Sequence, residues 1–226
     1  TENGGENILP DIAESINRQM EKEQYAKEKI AGIGIAVPGP VNEDGIVNKA
    51  VNLGWGVTPV KEIMEKLCGV PVQVGNDANV AALGEMWKGG GQGYTSLVLV
   101  TLGTGIGGGV IVDGRLVTGA DGAGGEIGHM HVMDGEEESC NCGCKGCLEQ
   151  YGSATGIVRL AEKVLNRTQE PSVLRGTKVT AKAVFDAVKS GDKTAITIAE
   201  EFGEILGKGF AMIASVLNPA AFVVGG

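Results

Sequence analysis

Five cysteines occur in the chain, and four of them crowd together as Cys140, Cys142, Cys144 and Cys147. Thiolates this close are candidate ligands for zinc, which takes four nitrogen or sulfur donors in a tetrahedron. His129, upstream of Cys140, offers a nitrogen donor. Spacing alone leaves the set open. Three of the thiols could join His129, the pairs Cys140/Cys142 and Cys144/Cys147 could form an all-sulfur site, or the loop could be reduced and metal-free. A disulfide framework is disfavoured in an acidic chain with no secretory signal and with Cys68 alone on a predicted helix.

Three carboxylates stand near chemistry. Asp77, in Val74-Gly-Asn-Asp-Ala-Asn79, falls where a strand passes directly into a helix. Its bland role is an N-cap; its functional role is a general base at the carboxyl end of a strand, where open α/β sheets place their ligands. Glu126 precedes His129 by one helical turn and Glu149 follows Cys147, so a metal would fix both segments that carry them. The neighbouring run Glu136–Glu138 reads as solvated. Gly103-Thr-Gly-Ile-Gly-Gly108 satisfies G-x-G-x-x-G, but a β-branched strand follows it where a dinucleotide fingerprint needs a helix. It lacks the Lys-Ser/Thr of a Walker loop. A glycine-rich hairpin whose backbone N–H groups cradle phosphates fits better.

The elements that must position these groups alternate helix and strand. Ile8, Ile12, Ile16 and Met20 predict a helix over Glu6–Lys29, followed by a strand over Lys29–Val37. Thr58 as N-cap and Pro59 at the first helical position open a second helix with the stripe Val60, Ile63, Met64 and Leu67, stopped by Gly69. A strand over 70–74 leads into a helix over 76–88. Strand 96–102, a tight loop 103–109, strand 110–112 and a turn at Asp113-Gly114 predict a β-meander. Residues 119–149 read as irregular. Helices over 155–166, 180–190 and 193–217 precede a strand over 220–224. A domain boundary is expected near Tyr94, dividing the chain into 1–94 and 95–226.

Composition narrows the function classes. Glycine supplies 38 of 226 residues, more than twice the usual share and without a collagen period. A net charge of −9 with no basic stripe gives no footprint for nucleic acid. No apolar run approaches the roughly 18–20 residues of a membrane span. A cytoplasmic protein is expected. The polar start and the terminal AAFVVGG, which reads as a strand running into a turn, are expected of an internal fragment.

GGEIGH at 124–129 followed by C-x-C-G-x-x-G-C-x-E at 140–149 resembles the signature of the ROK family (repressors, open reading frames and sugar kinases). PGPV at 38–41, NLGW at 52–55, GNDAN at 75–79, LGTGIGGG at 102–109 and NPAAFVVGG at 218–226 match further segments of that family in order. The resemblance implies an actin/hexokinase-like (ribonuclease H-like) ATPase fold, with two α/β domains and a cleft between them. It implies a structural zinc on His129, Cys140, Cys142 and Cys147, with Cys144 on a variable position and His131 outside the pattern. Asp77 would take the proton from the attacking sugar hydroxyl, and Asn76 would bind the sugar beside it. Glu126, His129 and Glu149 would grip hydroxyls near the anomeric end, and Gly103, Thr104 and Gly105 would lie at the phosphates of ATP, with Mg²⁺.

The substrate implied is a hexose, glucose first, with fructose, mannose, allose and N-acetylmannosamine kinases sharing most of the pattern and polyphosphate an alternative donor. The other class in the family is a sugar-sensing repressor carrying an N-terminal helix-turn-helix. A homodimer is expected from the resemblance only. The family's D-x-G-x-T phosphate loop would lie upstream of Thr1 and its adenosine-side glycine motif past Gly226, so the segment by itself is expected not to phosphorylate sugar.

Overall fold

The computed structural model describes residues 2–226; Thr1, at the edge of the predicted 1–94 domain, lies outside them. Helix α1 (Ile8–Lys22) is shorter than predicted. Gln24 adopts φ +53°, and the amides of Gln24 and Tyr25 return to the carbonyls of Glu21 and Met20, a Schellman-type end built without glycine. The buried face is also rotated from the fourfold recurrence: Leu9, Ala13 and Met20 are buried while Ile12 is exposed.

Strand β1 (Ile33–Val37) pairs in parallel with β2 (Val72–Asn76), with Ile33 opposite Val72 and Val37 opposite Asn76. Between them in the chain lies α2 (Val60–Cys68). Thr58 is not its cap. The Thr58 N–H and C=O are both paired with Val47, which holds Thr58 extended, and its hydroxyl donates to the Gly56 carbonyl. Pro59 therefore takes the N-cap position, and Gly69 in the left-handed region ends the helix as expected. Leu9, Val37, Val47, Val60, Met64 and Val72 form the core of this half.

Helix α3 (Asp77–Lys88) leaves β2 with no intervening loop. A second sheet has the order β5-β4-β3-β6, from β3 (Leu97–Leu102), β4 (Ile106–Val112), β5 (Arg115–Leu116) and β6 (Ala221–Gly225). β3 runs antiparallel to β4 and parallel to β6. Asp113 and Gly114 both have positive φ, the two-residue hairpin turn that Asp-Gly signals.

The predicted loop 103–109 is mostly strand. Only Gly103–Gly105 turn, and the remaining glycines lie in β4. A Cβ on Gly109 would come within 2.4 Å of the Ala82 methyl and 2.8 Å of the Ala78 carbonyl, so glycine there lets α3 lie directly on β4. This contact brings the first residue of α3 over the turn 103–105.

Segment 119–148 is irregular apart from a 3-10 turn at Ile127–His129. The short helix α4 (Glu149–Gly152) runs into α5 (Ala154–Arg167), and α6 (Ala181–Lys189) and α7 (Lys193–Leu217) follow with nearly the predicted bounds. Ile157, Leu160, Val164, Val184 and Ile198 form one core among these helices. Ile205 and Ile213 of α7 join Val98, Val100, Leu148 and Tyr151 in another, which seats α7 against the sheet. Among the described residues no helix is long and apolar enough to cross a membrane.

Candidate functional site

Asn76 is the N-cap of α3: its Oδ1 accepts from the Asn79 N–H at 3.1 Å, and its amide donates to the Gly39 carbonyl at 3.2 Å. Asp77 is thereby relieved of capping. Its carboxylate, exposed at the first helical position, accepts from the adjacent Ala78 N–H at 2.8 Å. It faces a cleft of about 480 Å³ whose lining also includes Asn52, Gly103, Gly105, Glu126, His129 and Glu149. Asn76 does not line that cleft. It borders a larger, mainly apolar cavity of about 580 Å³ that takes in none of the other predicted site residues. Thr104 points elsewhere too, into a smaller neighbouring pocket with Thr155 and Arg159.

The donor atoms of His129, Cys140, Cys142 and Cys147 all lie within 4.8 Å of one another. Cys140 Sγ is 3.6 Å from His129 Nδ1, and Cys142 Sγ is 3.6 Å from Cys147 Sγ. A tetrahedral ion with bonds of about 2.3 Å to sulfur separates its ligands by about 3.8 Å, so this donor set fits zinc in both chemistry and size. Cys144 is exposed and stays outside the group. His131 is exposed as well, and its ring bridges the Lys145 carbonyl and Asp134 at 2.9 Å each. Burial pushes the Cys147 thiol up to about 11 and raises Cys140 further. Cys142 is held below its ordinary value: burial opposes this, but the Cys144 N–H and the thiols of Cys147 and Cys140 favour its thiolate. A metal entering this site must therefore displace protons.

Glu149 joins the parts. One carboxylate oxygen is 2.9 Å from Cys140 Sγ and 3.8 Å from His129 Nδ1, and the other accepts from the Ile106 N–H at 3.3 Å. A Cβ on Gly105 would come within 2.4 Å of that second oxygen, so only glycine lets the turn and the carboxylate meet. Across the imidazole, His129 Nε2 is 3.9 Å from Glu126 Oε2. The ring thus has one nitrogen toward the thiols and the other toward the cleft.

Glu136, expected to be solvated, is half-buried as a residue and has a side chain only 4% exposed. Arg159 approaches it at 2.6 Å and Glu138 at 3.0 Å, as charge pairs rather than in-line hydrogen bonds. The Tyr151 hydroxyl donates to Glu136, and Lys163 lies 3.4 Å away. Burial would raise the Glu136 carboxyl, but Arg159 and Tyr151 hold it well below the carboxylate range. Burial and the Glu136 charge push Tyr151 up to about 12. The expectation failed because the partners are on α4 and α5, beyond any local pattern. Asn52 was missed as a lining residue although it stands in the NLGW segment; a polar residue between two apolar ones at 51 and 53 was the available signal.

A sequence model of the ROK family matches residues 2–226. A glucokinase of Halalkalibacterium halodurans is 40% identical over 230 residues, covering 100% of this chain and 70% of that protein. A xylose repressor of Caldicellulosiruptor bescii is 31% identical, covering 97% of this chain and 56% of the repressor. The crystal structure of a ROK family glucokinase from Streptomyces griseus in complex with glucose and AMPPNP superposes with a TM-score of 0.76 at 35% identity, over 96% of this chain and 72% of that one. Motif order, fold and full-length matches agree: the chain belongs to the ROK family and has its actin/hexokinase-like α/β fold.

Proposed function

We propose that the protein is a sugar kinase that transfers the γ-phosphoryl group of ATP to a hexose, glucose first among them, giving glucose 6-phosphate. The observation that carries this reading is one cleft lined by a carboxylate at a helix N-terminus, a glycine turn and a His/Glu cluster. The likeness to glucokinases over the whole chain supports it. The division into a smaller domain, 1–94, and a larger one, 95–226, belongs to the same reading, with Asp77 on one side and the turn 103–105 on the other.

Asp77 accepts the proton of the sugar hydroxyl as its oxygen attacks the γ-phosphorus, and the bond to the β-phosphate oxygen breaks to release ADP. Such transfers need positioning and charge neutralisation more than covalent help from the protein. Gly103, Thr104 and Gly105 form the turn that faces the phosphates, with the Gly103 N–H closing it onto the Gly105 carbonyl at 3.0 Å and the N–H groups of Thr104 and Gly105 left to the phosphates; Mg²⁺ enters with ATP, held mainly by its phosphates. Glu126, His129 and Glu149 bind hydroxyls at the anomeric end, and Asn76, whose side chain borders the neighbouring cavity, serves the site by capping α3 and leaving Asp77 at the cleft. A zinc ion on His129, Cys140, Cys142 and Cys147 would supply rigidity, tying the segment of Glu126 to that of Glu149. A metal held through His129 Nδ1 would leave the ring proton on Nε2, and the imidazole would then donate to a sugar hydroxyl rather than accept from one.

The decisive experiment is a coupled ADP-release assay of the full-length protein with ATP or polyphosphate across glucose, fructose, mannose, allose and N-acetylmannosamine. Glucose with ATP should give the highest kcat/KM. Absence of turnover with every pair, together with sugar-dependent binding to operator DNA, would establish the repressor reading instead.

A further inference from the structure

The phosphate turn is held from outside by the first turn of α5. The Ala154 N–H donates to the Gly103 carbonyl at 2.9 Å, and the Thr155 hydroxyl donates to the Thr104 carbonyl at 2.6 Å. Ser153, fully buried, donates to the Glu149 carbonyl at 2.6 Å and accepts from the Gly156 N–H at 2.9 Å. The Ser153 and Thr155 hydroxyls are 3.0 Å apart, each with its proton directed at a carbonyl. The Glu149 side chain closes the circuit by accepting from Ile106 N–H at the far end of the turn.

Ser153 is doing what helix N-caps do. The Thr155 bond has no such local explanation. It joins residues 51 apart, and it comes from an exposed side chain that water would otherwise satisfy. Thr155 lies at position N2 of α5, so its hydroxyl serves neither the helix ladder nor the cap. The result is that the turn proposed to hold phosphate is tied at three points to two successive helices: Gly103 and Thr104 to the start of α5, and Ile106 to the Glu149 carboxylate that opens α4.

We propose that Thr155 is a positioning residue for the transfer step, fixing the Thr104 peptide so that the turn presents its N–H groups at a set distance from the sugar held by Glu149. The inference rests on the kinase reading above. In-line transfer needs the reacting atoms within about 3–3.5 Å, and rotation of the Thr104 peptide would redirect the adjacent N–H of Gly105. Loss of this bond acts on the phosphate donor and on turnover, while the hexose contacts of Glu126, His129 and Glu149 stay in place.

The test compares Thr155→Val with Thr155→Ser in the full-length protein. Valine keeps the shape and removes the donor; serine keeps the donor. Expected for Thr155→Val is a fall in kcat/KM for ATP on the order of tenfold, with the hexose KM within about twofold and the thermal midpoint unchanged; Thr155→Ser should recover most of the loss. Kinetics like the wild type in Thr155→Val, equal impairment of the two variants, or a parallel rise in hexose KM would overturn the assignment. Calorimetric binding of an unhydrolysable ATP analogue gives a readout without turnover. If the wild type turns over no hexose yet binds the analogue in a Thr155-dependent way, the kinase reading fails and the contact stands; if the binding is unaffected by Thr155→Val, the contact fails as well.

Discussion

Asp77 owes its availability to Asn76. Because Asn76 supplies the cap of α3, the Asp77 carboxylate is left at the cleft with only its neighbour's N–H for a partner. Asp77→Ala should therefore cost little stability and nearly all turnover, a loss of about 10²–10⁴ in kcat, while hexose binding measured by calorimetry stays within about threefold. Turnover within tenfold of wild type would remove Asp77 as the base. The thiols permit an equally sharp contrast. Cys144 is exposed and outside the donor group, whereas Cys147 is fully buried within it. Cys144→Ser should retain about one zinc per chain by metal analysis, and Cys147→Ser should lose most of it. Retention in both variants would mean that Cys144 can replace a ligand.

At the scale of elements, the loop before Cys140 is pinned to α5 by the Glu136–Arg159 pair with Tyr151. Removing one partner of a half-buried pair leaves the other charge less well compensated, so Glu136→Gln should lower stability by about 1–2 kcal/mol, read from denaturant midpoints. The sign of the pH dependence follows from the direction of the shift. Glu136 is held below its ordinary value of 4.5, so its contribution is complete above that pH and is lost as pH falls below it. Wild type and Glu136→Gln should accordingly converge in stability on acidification, and a difference that widened in acid would refute the assignment. Much of this level was legible in the sequence. The helices 154–167, 181–189 and 193–217 have strong apolar periodicity and side-chain caps at Ser153, Thr180 and Asp192. Thr58 was misread because its partner Val47 is a bridge made by tertiary folding, and the glycines of β4 were read as loop because close packing under α3 leaves the same residue type as a turn. The cysteine ligand set was ambiguous by spacing for a related reason: the chain's path, not its order, puts Cys144 outside.

For the molecule as a whole, the question is how far the influence of a metal on these four donors would extend. The donors come from the 3-10 turn at 127–129 and the segment 140–147, and these carry Glu126 and, just beyond, Glu149. The apolar core among α5, α6 and α7 contains none of the ligands, and neither does the core beneath α1 and α2. The turn Gly103–Gly105 is anchored to α5 by bonds that do not pass through the metal. Stripping zinc with a chelator should therefore loosen Glu126 and Glu149, the two carboxylates proposed to bind the sugar, while leaving helix content and the donor side in place. The expected result is a rise in hexose KM of about 10–100-fold, an ATP KM within about threefold, and far-UV circular dichroism close to that of the loaded protein. Re-addition of zinc should restore the hexose KM. An equal loss for both substrates would show the ion to be a keystone of the fold, and no loss for either would show that Glu149 is held well enough by Ile106 without it. The asymmetry follows from the proposed arrangement: a metal on His129 and the three thiols would brace the sugar side of the cleft, α5 braces the turn proposed to hold phosphate, and the Glu149 side chain touches both Cys140 and the Ile106 N–H.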